Sequence, residues 1–227
     1  MDSSILCRAS ALEKLSLHHS GPSGDSPQWE DLNGPIQLPR VTYLHLSLDF
    51  LERVIGLLRK FDLPALKSLV MDFQGNDYTD LVHALAAPAT SVSPTEDQLR
   101  SLLSMLESLK ICGLPCRVDS LHTLCDELEN LTSLDISSPR CPTSFLVILC
   151  TSYTSTRRGN IPLPRLETLH VTRTTGTVLR EIVQQRRSAG VPLTALYVEK
   201  RCCVDQDDMK WLKENVKTAN FCETILP

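Results

Sequence analysis

The chain has 227 residues, 42% of them hydrophobic, with 23 Lys or Arg against 27 Asp or Glu and a formal net charge of -4. That length and apolar content suffice for a continuous buried core, while the negative balance removes the long-range attraction to phosphate backbones and anionic membranes that a basic protein has. Neither nucleic acid nor a membrane surface is an expected partner.

From the amino terminus onward, Met1 to Arg8 lack the basic stretch and apolar run of a secretory signal. The most apolar short segment, Phe145 to Cys150, has six residues, far below the roughly 20 a bilayer-spanning helix needs. A cytoplasmic or nuclear location is expected, and the nine cysteines are then expected to be reduced thiols rather than a disulfide framework.

One pattern organises the sequence: an apolar residue, two others, an apolar residue, one other, and a third apolar residue. It occurs at Leu12-Leu15-Leu17, Val41-Leu44-Leu46, Leu66-Leu69-Met71, Leu106-Leu109-Ile111, Leu131-Leu134-Ile136, Leu166-Leu169-Val171 and Leu193-Leu196-Val198. The starts lie 29, 25, 40, 25, 35 and 27 residues apart, close to the period of about 20 to 29 of leucine-rich repeats, with longer loops in three of them. In each triplet the fourth and sixth residues share a strand's period of two and point to one side. Strands are therefore predicted around residues 15, 44, 69, 109, 134, 169 and 196.

Helical spacing follows most triplets. Asp49 to Phe61 aligns Phe50, Leu51, Val54, Leu57, Leu58 and Phe61, with Arg59-Lys60 suited to the negative helix end. Asp77 to Ala87 offers Leu81, Val82 and Leu85, and Thr95 to Gln98 reads as a capping box opening a helix through Leu99, Leu102 and Leu103. Asp119 to Leu128, Thr143 to Cys150, Thr177 to Arg187 and Asp205 to Val216 repeat the theme, and Gly190 after Arg186-Arg187 is a predicted helix stop. Pro/Gly/Ser-rich or polar segments at about 20–40, 86–95 and 153–164 read as exposed loops. Prolines at 39, 64, 164 and 192 precede strands, where a missing N–H is tolerated.

The expected architecture is α/β: a leucine-rich-repeat solenoid with a curved parallel sheet on its concave face, helices on its convex face, and about seven irregular repeats. One domain spans residues 1–227, closed by a capping helix at about 205–216 in which Met209, Leu212 and Val216 cover the last strand. The asparagine that many such repeats carry after the triplet is replaced by Ser20, Asp49, Gln74, Leu114, Pro139, Thr174 and Arg201, so irregular turns are expected.

Two constellations bear on chemistry. Cys112-x3-Cys116-x5-His122-x2-Cys125 supplies zinc-type ligands, yet the spacing fits no usual finger, and structural thiols are the expected reading. No Gly-x-Ser-x-Gly, Gly-x-x-x-x-Gly-Lys or His-Glu-x-x-His occurs. We expect no metal, no cofactor and no enzymatic activity. Charged residues on the late helices, Arg180, Glu181, Arg186 and Arg187, and Asp205, Asp207 and Asp208, read as solvated faces and a helix-start cap.

The phrases LPRVTYLHLSLDF (38–50), LPALKSLVMDF (63–73), LPRLETLHV (163–171), LREIVQQRRSAGVPLTALYV (179–198) and VDQDDMKWLKENV (204–216) resemble the leucine-rich carboxy-terminal region of fungal, mushroom-type F-box-like proteins. The resemblance implies repeats that hold the substrate of a ubiquitin ligase, with a separate F-box docking on a Skp-type adaptor. Only eleven residues precede the first triplet at Leu12, against the roughly 40 an F-box needs, so no direct adaptor binding is expected from this chain.

The expected function is protein recognition, with a structural fragment lacking a dedicated ligand as the alternative. Strand alternation places Tyr43, His45, Ser47, Val70, Asp72, Lys110, Asp135, His170, Thr172, Tyr197 and Glu199 on the concave, partner-binding face. Tyr43 and Tyr197 are its candidate anchors. The uncapped first repeat is expected to permit self-association through its strand edge.

Overall fold

A computed structural model describes residues 11–18, 35–47, 51–75, 77–87, 101–138, 140–141, 144–150, 161–199 and 202–222. In chain order the elements are β1 (Lys14–His18), β2 (Ile36–Gln37), β3 (Tyr43–Ser47), α1 (Leu51–Lys60), β4 (Phe61–Asp62), β5 (Ser68–Asp72) and α2 (Thr79–Ala86). A 3-10 turn (Leu102–Met105) leads to β6 (Ser108–Gly113), α3 (Val118–Glu127), β7 (Ser133–Ile136), α4 (Ser144–Cys150) and β8 (Thr168–Val171). The chain continues through α5 (Gly176–Ser188), β9 (Ala195–Val198), α6 (Gln206–Asn215) and β10 (Thr218–Phe221). Eight strands form one open, parallel sheet in the order β1-β3-β5-β6-β7-β8-β9-β10.

The spacing of the apolar triplets becomes register. Leu15, Leu44, Leu69, Leu109, Leu134, Leu169 and Leu196 lie opposite one another from strand to strand. The six from Leu44 onward have no solvent exposure, and the sixth-position residues Leu46, Met71, Ile111, Ile136, Val171 and Val198 are buried beside them. The helices close this layer with Val54, Leu81, Leu85, Leu121, Leu124, Phe145, Leu179, Ile182 and Leu212, so strand and helix residues form a single core cluster. Each such aliphatic side chain contributes roughly 1.5 to 3 kcal/mol when fully buried.

The first apolar residue of the triplet does something else. Its backbone N–H closes a turn onto the carbonyl three residues back: Val41 to Leu38, Leu66 to Leu63, Leu106 to Leu103, Leu131 to Leu128 and Leu166 to Leu163, at 3.0 to 3.3 Å. The next two N–H groups then share one carbonyl of the preceding strand's lead-in. Thr42 and Tyr43 donate to Glu13, Lys67 and Ser68 to Thr42, Glu107 and Ser108 to Lys67, and the series runs on through Thr132 and Glu167. Since each carbonyl accepts two donors, the strand starts are staggered identically and the outward rows stay aligned.

All seven predicted strands are present at their predicted centres. An eighth was missed. Val216, Ala219 and Phe221 repeat the triplet with alanine in place of leucine; Val216 is buried, and Ala219 and Phe221 pack on the core. The helix predicted at 205–216 therefore does not cap the sheet: α6 leads into β10, which pairs with β9 and forms the edge. Within α6, Leu212 is buried while Met209 is half-buried.

Three further expectations change. The predicted loop at 20–40 contains β2, which pairs in parallel with β4 as a separate two-stranded sheet; Ile36-Gln37-Leu38-Pro39 and Phe61-Asp62-Leu63-Pro64 occupy equivalent places before their strands. The helix expected through Leu102 and Leu103 is a 3-10 turn capped by Ser101, whose Oγ accepts from Ser104 N at 3.2 Å and donates to Glu127 Oε2 at 2.6 Å. The capping box at Thr95 to Gln98, and the loops over 88–95 and 153–160, lie outside the described residues.

Arg186 also departs from its expected solvated position. It is 1% exposed, and its guanidinium donates to the carbonyls of Pro162 (3.0 Å), Leu163 (2.9 Å) and Leu166 (3.0 Å). These belong to the turn leading into β8, where Leu163 has φ of 52°, a left-handed conformation that disfavours a side chain bearing Cβ. The predicted stop at Gly190 is present, with φ of 76° and closing bonds from Gly190 N to Arg187 O and Val191 N to Arg186 O.

Candidate functional site

Residues alternating with the buried ladder project from the other face of the sheet, and their order across the strands follows from register alone. The central row reads Ser16, His45, Val70, Lys110, Asp135, His170, Tyr197 and Asn220. Neighbours along it combine into pairs. Lys110 Nζ lies 2.8 Å from Asp135 Oδ2, and the rings of His170 and Tyr197 stack at 4.2 Å with an 11° interplanar angle. At the β1 end His18 meets His45 edge to face at 4.3 Å.

A second ion pair crosses the sheet surface. Arg140, from the segment after β7, places Nη2 2.8 Å from Asp72 Oδ1 on β5. Its path passes Gly113, where β5 and β6 shift register and Asp72 pairs with Gly113. A Cβ at Gly113 would lie 2.3 Å from the Phe73 carbonyl oxygen, so the strands approach this closely only with glycine there. Ser138 Oγ donates to Cys112 O at 2.5 Å, and Ser137 donates through both N and Oγ to Asp135 Oδ1.

Electrostatics follow from these contacts. Burial of His45 pushes its pKa below 6.5, and the neighbouring His18 and Lys110 act in the same direction against Asp72. Burial pushes the Asp135 carboxyl up, but hydrogen bonds from Lys110 and Ser137 outweigh that and hold it below its ordinary value. The same bond to Asp135 raises Lys110. The half-exposed ion pairs are worth about 0.2–1 kcal/mol each, so they orient side chains more than they stabilise the fold.

The eleven predicted face residues divide. Tyr43, His45, Asp72, Lys110, Asp135, His170 and Tyr197 are half-buried, and Glu199 is exposed. Ser47, Val70 and Thr172 are buried, at 8%, 7% and 6% exposure, and offer little surface: neighbouring strands stand close enough that small side chains between larger ones are covered. Sequence reasoning missed His18, Arg140 and Asn220. His18 is the residue just after the first triplet, and Asn220 is the fifth position of the eighth; both follow from the same pattern, whereas Arg140 reaches the face from a loop and carries no periodic signal.

The thiols have a different character. Burial pushes Cys116, Cys125 and Cys141 up to about 12, and Cys112 upward as well. Such thiols are poor nucleophiles and poor metal ligands at neutral pH. Among the described residues no three His, Cys, Asp or Glu side chains converge to hold a metal ion, and none of the eight described cysteines is in a disulfide. Also among the described residues, no helix is long and apolar enough to cross a membrane. What the sheet face presents chemically is aromatic surface and oriented charge.

No family model and no curated protein matches the chain. A crystal structure of a Bacteroides fragilis protein, a structural-genomics target, is similar with a TM-score of 0.52 at 12% identity, over 94% of this chain and 66% of that one. At this identity the likeness concerns the fold alone, and the chain spans about two thirds of that protein's length.

Proposed function

We propose that this chain is a leucine-rich-repeat module that binds a protein partner on its exposed sheet face, and that it serves as the substrate-recognition repeats of an F-box-like ubiquitin-ligase receptor. The observation that carries the recognition reading is the aligned central row, in which eight parallel strands place paired charges and stacked aromatic rings side by side on one surface. Repeat scaffolds bind through such extended surfaces, and pre-oriented side chains lose less entropy on binding than mobile ones. The receptor assignment rests on the ordered sequence phrases from residues 38 to 216.

A binding role without catalysis agrees with the chemistry of the face, and a cytoplasmic or nuclear setting agrees with described cysteines that form no disulfide. The test is site-specific cross-linking in cells of the source organism. With p-benzoylphenylalanine in place of Tyr197 or His45, irradiation is expected to attach one defined protein. Lys213 on the helix side is the comparison position. Adducts formed equally at Lys213, or formed only there, would remove the sheet face from the reading.

A further inference from the structure

We propose that the groove between α5 and α6 is a binding site for an oxyanion, carboxylate or phosphate, carried on an apolar or aromatic body. Arg180, Gln184, Arg187, Ser188 and Trp211 line an open groove with about 500 Å³ of accessible space. The four α5 residues are spaced 4, 3 and 1 apart, which puts them along one strip of the helix facing α6. Trp211 supplies a half-buried indole as the opposite wall.

The donor balance identifies the ligand class. Two arginines, a glutamine and a serine line the groove, and the nearby Asp208 carboxylate is already engaged, its Oδ1 lying 2.5 Å from Arg180 Nε. Arg180 is also held over the Trp211 ring, 5.4 Å from its centroid, so its position is fixed from two sides. Arg187 bonds the neutral side-chain oxygen of Asn215, and among the described residues no carboxylate forms an ion pair with it. The last turn of α5 carries the negative end of the helix dipole, about half a charge, and the full charge on Arg187 exceeds it. A ligand must therefore accept hydrogen bonds and bring negative charge, and the indole favours one with a flat or apolar portion.

Trp211 reports the site directly, because Trp29 is the one other tryptophan in the sequence and Trp29→Phe silences it. Fluorescence of the Trp29→Phe protein would be titrated with phenyl phosphate, benzoate and the neutral benzyl alcohol. Saturable quenching by phenyl phosphate or benzoate is expected, at least tenfold weaker in Arg187→Gln and partly restored in Arg187→Lys; the tighter of the two anions identifies phosphate or carboxylate as the natural group. Arg140→Gln on the sheet face should leave the titration unchanged, which separates this site from the partner surface. Non-saturating quenching, equal quenching by benzyl alcohol, or an undiminished response in Arg187→Gln with native circular dichroism would overturn the proposal.

Discussion

A guanidinium at 1% exposure is tolerated in an interior only when its donors are satisfied. Arg186 meets most of that requirement, Nη1 and Nη2 donating to three backbone carbonyls while the buried Nε has no hydrogen-bond partner among the described residues, and burial pulls its pKa down to about 10, still well above neutral pH. Arg186→Ala would strand those carbonyls and leave Leu163 in its left-handed conformation without support; a loss of about 3 kcal/mol is expected from the desolvation of unpaired acceptors. Arg186→Lys, with no planar fork, should recover only part. Urea denaturation checks this, and a loss under 1 kcal/mol for alanine would show the turn to be self-supporting. Nothing in the sequence distinguished this arginine from Arg187, because periodicity places both near the helix end and cannot show which one meets a neighbouring turn.

His45 gives a pH prediction. Its folded pKa lies below 6.5 because of burial and then of His18, so between the two pKa values the unfolded chain binds more protons than the folded one. Stability contributed by neutral His45 is present above pH 6.5 and is lost as pH falls through 6.5 toward the folded value. The urea midpoint should therefore drop from pH 7 to pH 5.5, and drop less in His45→Asn. Asp135, lowered below 3.8, contributes its loss only below that pH, so the two windows are separate. An equal drop in His45→Asn would assign the effect to other groups.

At the level of elements, the packing of α6 on α5 turns on Gly176. A Cβ there would fall 1.9 Å from Asp208 Oδ2 and 2.4 Å from its Cβ, so rotating the carboxylate cannot relieve the clash and the helix itself must move. Gly176→Ala is expected to destabilise by about 2 kcal/mol, as overpacked sites do, and to accelerate amide exchange in residues 206–215. Exchange unchanged in that helix would mean the neighbour yields without moving. The strands were far more legible than such contacts. Leu, Val, Ile or Met at positions one, four and six of the triplet marked seven strands, while β10 went unread because Ala219 dilutes the apolar signal and Trp211, Leu212 and Val216 continue a helical period into it. The short β2 was hidden for a related reason: Ile36-Gln37 is too brief to show alternation and needs Phe61-Asp62, 25 residues away, to complete it.

For the whole molecule, the repeat is a device for copying position. Shared carbonyls stagger the main-sheet strands from β3 to β9 alike, the leucine ladder fixes which side is buried, and the outward row therefore comes into line without further instruction. Sequence alone placed eight of the eleven face residues on usable surface; it failed at Ser47, Val70 and Thr172, where exposure is set by the size of side chains on adjacent strands rather than by alternation. Binding energy on such a surface concentrates in a few aromatic and charged anchors. The most direct measurement is quantitative affinity capture from the source cells with wild-type chain, with the Tyr43, His45, His170 and Tyr197 quadruple alanine variant, and with Arg187→Gln as the helix-side comparison. The expected result is a defined partner retained by wild type and by Arg187→Gln and reduced at least tenfold by the quadruple variant, with all three chains equally folded by circular dichroism; the same partner held undiminished by the quadruple variant would contradict the sheet face as the recognition surface.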